Sequence, residues 1–233
     1  MQLNTIHIMS IKIFTGRVRI IEPNGDISPY EKFIITRNPD KTKTLRTVTK
    51  SPKGDLLRDV NQMISEDWRD IEAMGRLFYK NKNLGTITRR IFNNRLYSHI
   101  WNKDGYTDHK EFEAPHNMII GLHPITHDAW KMNLLNTSHH DEQEMLVHTV
   151  STTWNGRTLT HGEKLLSTVT YEGQEILSLP AGTFTCEKFL WKSPFDKLLA
   201  VWRMGDARVL AKMHVLEGGK SGTVYELDEY NEE

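Results

Sequence analysis

Tight-turn sequences interrupt this chain so often that few helices of ordinary length have room between them. PNGD at 23–26, NPDK at 38–41, NKDG at 102–105, WNGR at 154–157, YEGQ at 171–174, LPAG at 179–182, MGDA at 204–207 and EGGKSG at 217–222 place Gly, Asn, Asp or Pro where a chain reverses. Asn-Gly and Asp-Gly suit two-residue hairpins because both residues tolerate positive φ. The segments between them, such as KIFTGRVRII, EKFIITR, GTITRRIF, RLYSHIW, TFTCEKFLW, LLAVWRM, VLAKMHVLE and GTVYELDEY, are of strand length and rich in Val, Ile, Thr and aromatic residues. The pattern predicts a mainly β fold, an antiparallel meander closed into a barrel or bent into a strongly curved sheet.

Two segments depart from it. DLLRDVNQMISEDW at 55–68 puts Leu56, Leu57, Val60, Met63 and Ile64 on one helical face, with Asp55 placed to cap its start. THDAWKMNLLN at 126–136 predicts a shorter helix with Trp130 and Leu134 inward. No linker-like stretch divides the chain, so residues 1–233 read as one domain, with the acidic end ELDEYNEE in solvent.

Charge narrows the partners. Lys plus Arg equals Asp plus Glu at 30 each, which leaves no bulk charge to attract nucleic acid or an anionic membrane. No stretch is apolar enough to span a bilayer as a helix. Cys186 is the only cysteine, so an internal disulfide or a multi-thiolate zinc site is excluded. These features suggest a cytoplasmic protein.

The strongest hairpin signal is Asn155-Gly156. A two-residue turn there pairs Val150 with His161, His148 with Glu163 and Leu146 with Leu165. One face then carries His148, Trp154, Arg157, His161 and Glu163 among apolar residues, and the other is mostly threonine. A histidine beside a carboxylate can act as a general base. Two histidines and a carboxylate are also a metal-ligand set, and three polar groups at a wet barrel end need have no role at all. A second candidate region is PHNMIIGLHPITHDAW at 115–130. Pro124 disfavours a helix through His123, which leaves it on a strand end or loop and puts His127 at a helix N-terminus. The dipole there disfavours the charged form, as suits a neutral base or ligand. Capping by Thr126 and Asp128, with the histidines solvated, is the plain alternative. His139 and His140 lie in an acidic loop, and Lys212 opposite Glu226 reads as a surface pair. GGKSG at 218–222 lacks the spacing of a phosphate loop, and no dinucleotide fingerprint, nucleophile elbow or HExxH is present.

LPAGTF leading into a strand, VWRMGD, the closing TVYEL and the segment GLHPITHDAW together resemble bacterial calycin-like or lipocalin-like β proteins of unknown function. The resemblance covers the C-terminal part of the chain and implies a calycin-like barrel with a cavity. The resemblance carries no activity with it; the shared face of the hairpin suggests a protein that acts on a small hydrophobic molecule by cofactor-free acid–base chemistry of the lyase, isomerase or hydrolase type. His148, His161, Glu163, His123 and His127 are the catalytic candidates, and Trp130, Trp154 and Arg157 the substrate-binding ones. Two alternatives remain: a non-catalytic carrier of a hydrophobic ligand, and a metal-dependent hydrolase.

Overall fold

In a computed structural model, residues 11–51, 53–150, 159–195 and 197–233 are described. The first eight strands run as a meander: β1 (Lys12–Ile21), β2 (Ile27–Arg37), β3 (Lys43–Lys50), β4 (Leu56–Ile64), β5 (Asp70–Tyr79), β6 (Lys82–Phe92), β7 (Arg95–Asn102) and β8 (Thr107–Glu113). A short strand β9 (Met118–Gly121) leads into helix α1 (His127–Lys131) and a 3-10 turn (Met132–Leu134). The second meander is β10 (Gln143–Thr149), β11 (Glu163–Leu179), β12 (Gly182–Ser193), β13 (Lys197–Met204), β14 (Val209–Glu217) and β15 (Val224–Glu232).

All of these strands belong to one sheet, ordered β8-β7-β6-β5-β4-β3-β2-β1-β15-β14-β13-β12-β11-β10-β9. Every neighbouring pair is antiparallel except β9 and β10, which are parallel. The first and last strands thus meet in the middle of the sheet, and β8 and β9 form its two edges. Laid flat, such a sheet would be roughly 67 Å wide at about 4.8 Å per strand. Yet only residues 114–117 join β8 to β9, and the step from Glu113 to Met118 spans at most ~18 Å. The sheet must therefore curl until its edges are neighbours. It is strongly curved but not closed by a ladder between β8 and β9 among the described residues.

Two apolar clusters fill the interior. One holds Phe14, Ile35, Leu45, Trp130, Phe189, Val201, Leu210 and Leu227 with their neighbours. The other holds Val60, Ile87, Leu96, Ile100, Ile120, Leu122 and Val150. Strand β9 separates them and is buried on both faces: Ile119 belongs to the first cluster, and Met118 and Ile120 to the second.

Local sequence explains most of these elements. Strand β3 alternates Lys43, Leu45, Thr47 and Thr49 inward with more exposed residues between them. The tight β5–β6 and β6–β7 turns have Lys80-Asn81 and Asn93-Asn94 at their centres, each residue with positive φ. That is the backbone of a type I′ hairpin turn, where asparagine is favoured. The acidic end of the chain finishes in solvent, with Asn231, Glu232 and Glu233 exposed, but it is not a loose tail. It forms β15, whose Glu226 bonds Arg19 and whose Asp228 bonds Arg17, both on β1.

The helix expected over 55–68 does not form. Residues 56–64 are strand β4, with Arg58, Val60, Gln62 and Ile64 buried at period two. A strand reading puts an arginine and a glutamine into the core, so the helical reading looks better from sequence alone. Strand wins because both polar side chains find partners on the 118–128 segment. The shorter helix does form, capped by neither Thr126 nor Asp128.

Candidate functional site

Polar groups in the interior gather around the segment that runs from β9 through α1. Strand β9 has a ladder partner on one side only. On the other side, Ile120 N donates to Asp70 Oδ2 at 2.6 Å, and Gln62 Nε2 donates to Ile120 O at 3.2 Å. The same amide nitrogen lies 2.6 Å from Asp70 Oδ1 and 2.8 Å from His127 Nε2. An amide nitrogen carries two hydrogens, too few for Asp70, Ile120 and His127 at once. Burial pushes Asp70 up to about 7. Burial, with Lys131 nearby, holds His127 well below its usual value. The two face each other as a near-neutral pair, 3.9 Å apart.

The turn after β9 is held from both sides. Arg58, 2% exposed, donates to His123 O at 2.7 Å. The Glu31 carboxylate accepts from Ile125 N, from Thr126 N and Oγ1, and from Thr49 Oγ1. His123 itself takes φ of +63°, a left-handed backbone that bends the chain sharply. Its Nε2 lies 2.8 Å from Thr149 Oγ1 on β10. Arginine on the carbonyl and glutamate on the amides thus fix the entry to α1.

That turn forms one wall of a cavity of about 60 Å³. Val147, Leu199, Met213 and Trp191 give it an apolar floor, all of them buried. Leu165, Pro194 and Phe195, half-buried, form its mouth. Arg58, Asp128, Lys131, His123 and the Tyr225 ring supply the polar part. Lys131 donates to Asp128 Oδ1 and sits 5.0 Å above the Trp191 ring. Burial pushes Asp128 up against the opposing pull of Lys131. Tyr225 packs edge-on to Tyr30 at 5.2 Å.

The sequence-predicted site residues do not share one place. His148 and His161 meet at a separate buried centre built on Arg89. This arginine, 1% exposed, donates to His148 O at 2.6 Å, to His148 Nδ1 at 3.1 Å and to His161 O. Burial, with Arg89 alongside, holds His148 down to about 3. His161 Nδ1 lies 2.9 Å from Ser98 Oγ, and its Nε2 is 3.2 Å from Asp108 Oδ2. The centre ties the end of β10 and the start of β11 to β6, β7 and β8, across the gap between the sheet's two halves.

Glu163 is not with them. Strands β10 and β11 pair His148 with Lys164 and Thr149 with Glu163, one residue out of the register that a two-residue turn would impose. A slip of one residue moves side chains to the opposite face, and Glu163 is exposed. The ladder ends because Val150 N turns to Gly121 O at 3.2 Å, and Thr160 Oγ1 bonds Val150 O. Trp154 and Arg157 lie outside the described residues. Trp130 is core: its Nε1 bonds Ala207 O at 3.0 Å and its ring meets Trp68 edge-on. Among the described residues no three His, Cys, Asp or Glu side chains converge as metal ligands. Of the described candidates, only His123 lines the cavity.

Sequence reasoning missed Arg58, Gln62, Asp70, Arg89 and Lys131. Arg58 and Gln62 are in phase with Val60 and Ile64, and Arg89 is in phase with Ile87. That shared phase was the available signal.

No protein-family model matches the chain, and no curated protein does. Among solved structures it is similar to a β-barrel-like protein of a domain of unknown function, DUF1849, from Brucella abortus. That match has 6% identity, covers 96% of this chain and 97% of the other, and has a TM-score of 0.55. A DUF1089 family protein from Pseudomonas aeruginosa matches at 12% identity over 84% of this chain and 91% of the other, with a TM-score of 0.44. The first of these likenesses is one of fold, so what the chain shares with a known structure is a β-barrel-like architecture.

Proposed function

We propose that this protein binds a small amphiphilic molecule in the cavity between the 121–131 segment and strands β10, β12, β13 and β14, and does not transform it. The observation that carries this reading is the division of the cavity wall. Buried Val147, Leu199 and Met213 line the same partly open space as Arg58, Asp128 and Lys131. Pockets that are mostly apolar, with a few placed polar groups, are those that hold small ligands. The acid–base alternative has less support. His148 and His161 are engaged at the Arg89 centre, Glu163 is outside, and the one carboxylate that lines the cavity among the described residues is bonded to Lys131.

The test is an amide-resonance titration of the protein against a panel of small amphiphiles, each recovered afterwards and analysed. At least one compound should shift residues 121–131 together with Val147 and Leu199, and be recovered unchanged. Val147→Phe, which fills the cavity, should abolish the shifts. A panel that shifts nothing at the cavity sinks the binding reading, and a chemically altered compound sinks the non-catalytic one.

A further inference from the structure

We infer that the ligand's polar end is an acid, a small monocarboxylate being the simplest case, docked at Lys131 and Trp191; this rests on the cavity being a binding site. Two independent observations point there. The indole Nε1 of Trp191, on a residue 6% exposed, has no hydrogen-bond partner among the described residues. A buried N–H left without an acceptor is costly, and few native structures carry one without reason. Above the same ring stands the Lys131 ammonium, which has three N–H groups. Asp128 Oδ1 is its one acceptor among the described residues.

The wall is therefore short of acceptors: a ligand oxygen would supply one to Lys131 and, once the indole shifts to open its Nε1, one to Trp191. Charge agrees with this. Among the described residues, the charged side chains lining the cavity are two cations, Arg58 and Lys131, against one anion, Asp128. Glu31, behind the turn, directs its carboxylate at the 125–126 amides and Thr49. An ammonium or a neutral hydroxyl would satisfy fewer of these donors than a carboxylate, and charge-assisted bonds are the stronger kind. The volume of about 60 Å³ holds roughly two water-sized groups, since each takes ~30 Å³ in the liquid. That limits the enclosed part to a short acid, or to the head of a longer one whose chain leaves between Leu165 and Phe195.

Calorimetric titration with butanoate, 1-butanol and butylamine, three compounds of equal chain length, separates the possibilities. Butanoate should bind about tenfold more tightly than 1-butanol. Lys131→Met should remove most of that advantage. Trp191→Phe, which deletes the N–H together with part of the indole, should weaken butanoate several-fold while leaving 1-butanol within about twofold. Equal affinity for acid and alcohol would overturn the acid inference and leave the binding reading standing. Preference for butylamine would overturn it in favour of Asp128 as the anchor. Failure of all three to bind would overturn both readings. Should Lys131→Met not fold, the acid-to-alcohol ratio of the wild type and of Trp191→Phe still decides.

Discussion

Single buried side chains do in this protein what backbone pairing does elsewhere. Gln62 and Asp70 satisfy the open edge of β9, Arg58 and Glu31 clamp the turn that follows, and Arg89 joins β10 and β11 to β6. Asp70 carries a consequence for pH. Its carboxyl holds a proton up to about 7 in the folded protein, against 3.8 for the free group, chiefly because it is buried. Between those values the native state binds a proton that the unfolded chain has released. The stabilisation is fully present below the unfolded value and is lost as pH rises through about 7. Asp70→Asn cannot titrate, and the contributions of His148 and other groups cancel when variant and wild type are compared at each pH. The variant's unfolding free energy relative to wild type should therefore rise between about pH 4 and pH 8 by up to ~4 kcal/mol. Urea unfolding at both pH values reads it, and a difference that does not change with pH would mean Asp70 titrates as an ordinary carboxylate.

At the scale of elements, the sequence conveyed strand content and many turns but placed two elements wrongly, for one physical reason. Alternation was legible wherever inward residues are apolar, as in β14, where Ala211, Met213 and Val215 are buried and Lys212 pairs with Glu226 as expected. It was illegible in β4, because Arg58 and Gln62 face inward toward partners more than fifty residues away. The β10–β11 register failed similarly. A two-residue turn at Asn155-Gly156 ignores Gly121 O, a distant acceptor that captures Val150 N. Gly162 is the residue that permits the observed register. Its φ is +66°, and an added Cβ would fall 1.5 Å from Thr149 O. Gly25 has φ of +86° with nothing near it. Gly162→Ala should thus cost about 3 kcal/mol or more through strain and displacement of β10, and Gly25→Ala only about 1 kcal/mol. Thermal melts of the two variants make the comparison, and equal losses would show that the Gly162 contact is not rigid.

On the scale of the whole molecule, the question is whether one sheet with two apolar clusters unfolds once or twice. The connectivity argues for once. Strand β1 pairs with β15, so neither meander is complete without the other's central strand. The β9 strand buries alternate side chains in the two clusters, with Ile119 in one and Ile120 in the other. Arg89 adds a third tie, from β6 to the ends of β10 and β11. Opening either cluster would strip β9 of half its burial and leave Asp70, Gln62 and Arg89 buried without their acceptors or donors, a larger cost than most local openings bear. The tryptophans allow a direct test once Trp101 and Trp154 are replaced by Phe, since Trp130, Trp191 and Trp202 belong to the first cluster and Trp68 packs against it. Leu96→Ala removes a fully buried side chain from the second and should cost about 2–5 kcal/mol. If the molecule is one cooperative unit, that loss should lower the fluorescence midpoint in urea as far as the far-ultraviolet dichroism midpoint. A fluorescence transition left at its wild-type position would show that the half containing the cavity unfolds by itself. The Asp70, Gln62 and Arg89 contacts would then be hinges between two bodies.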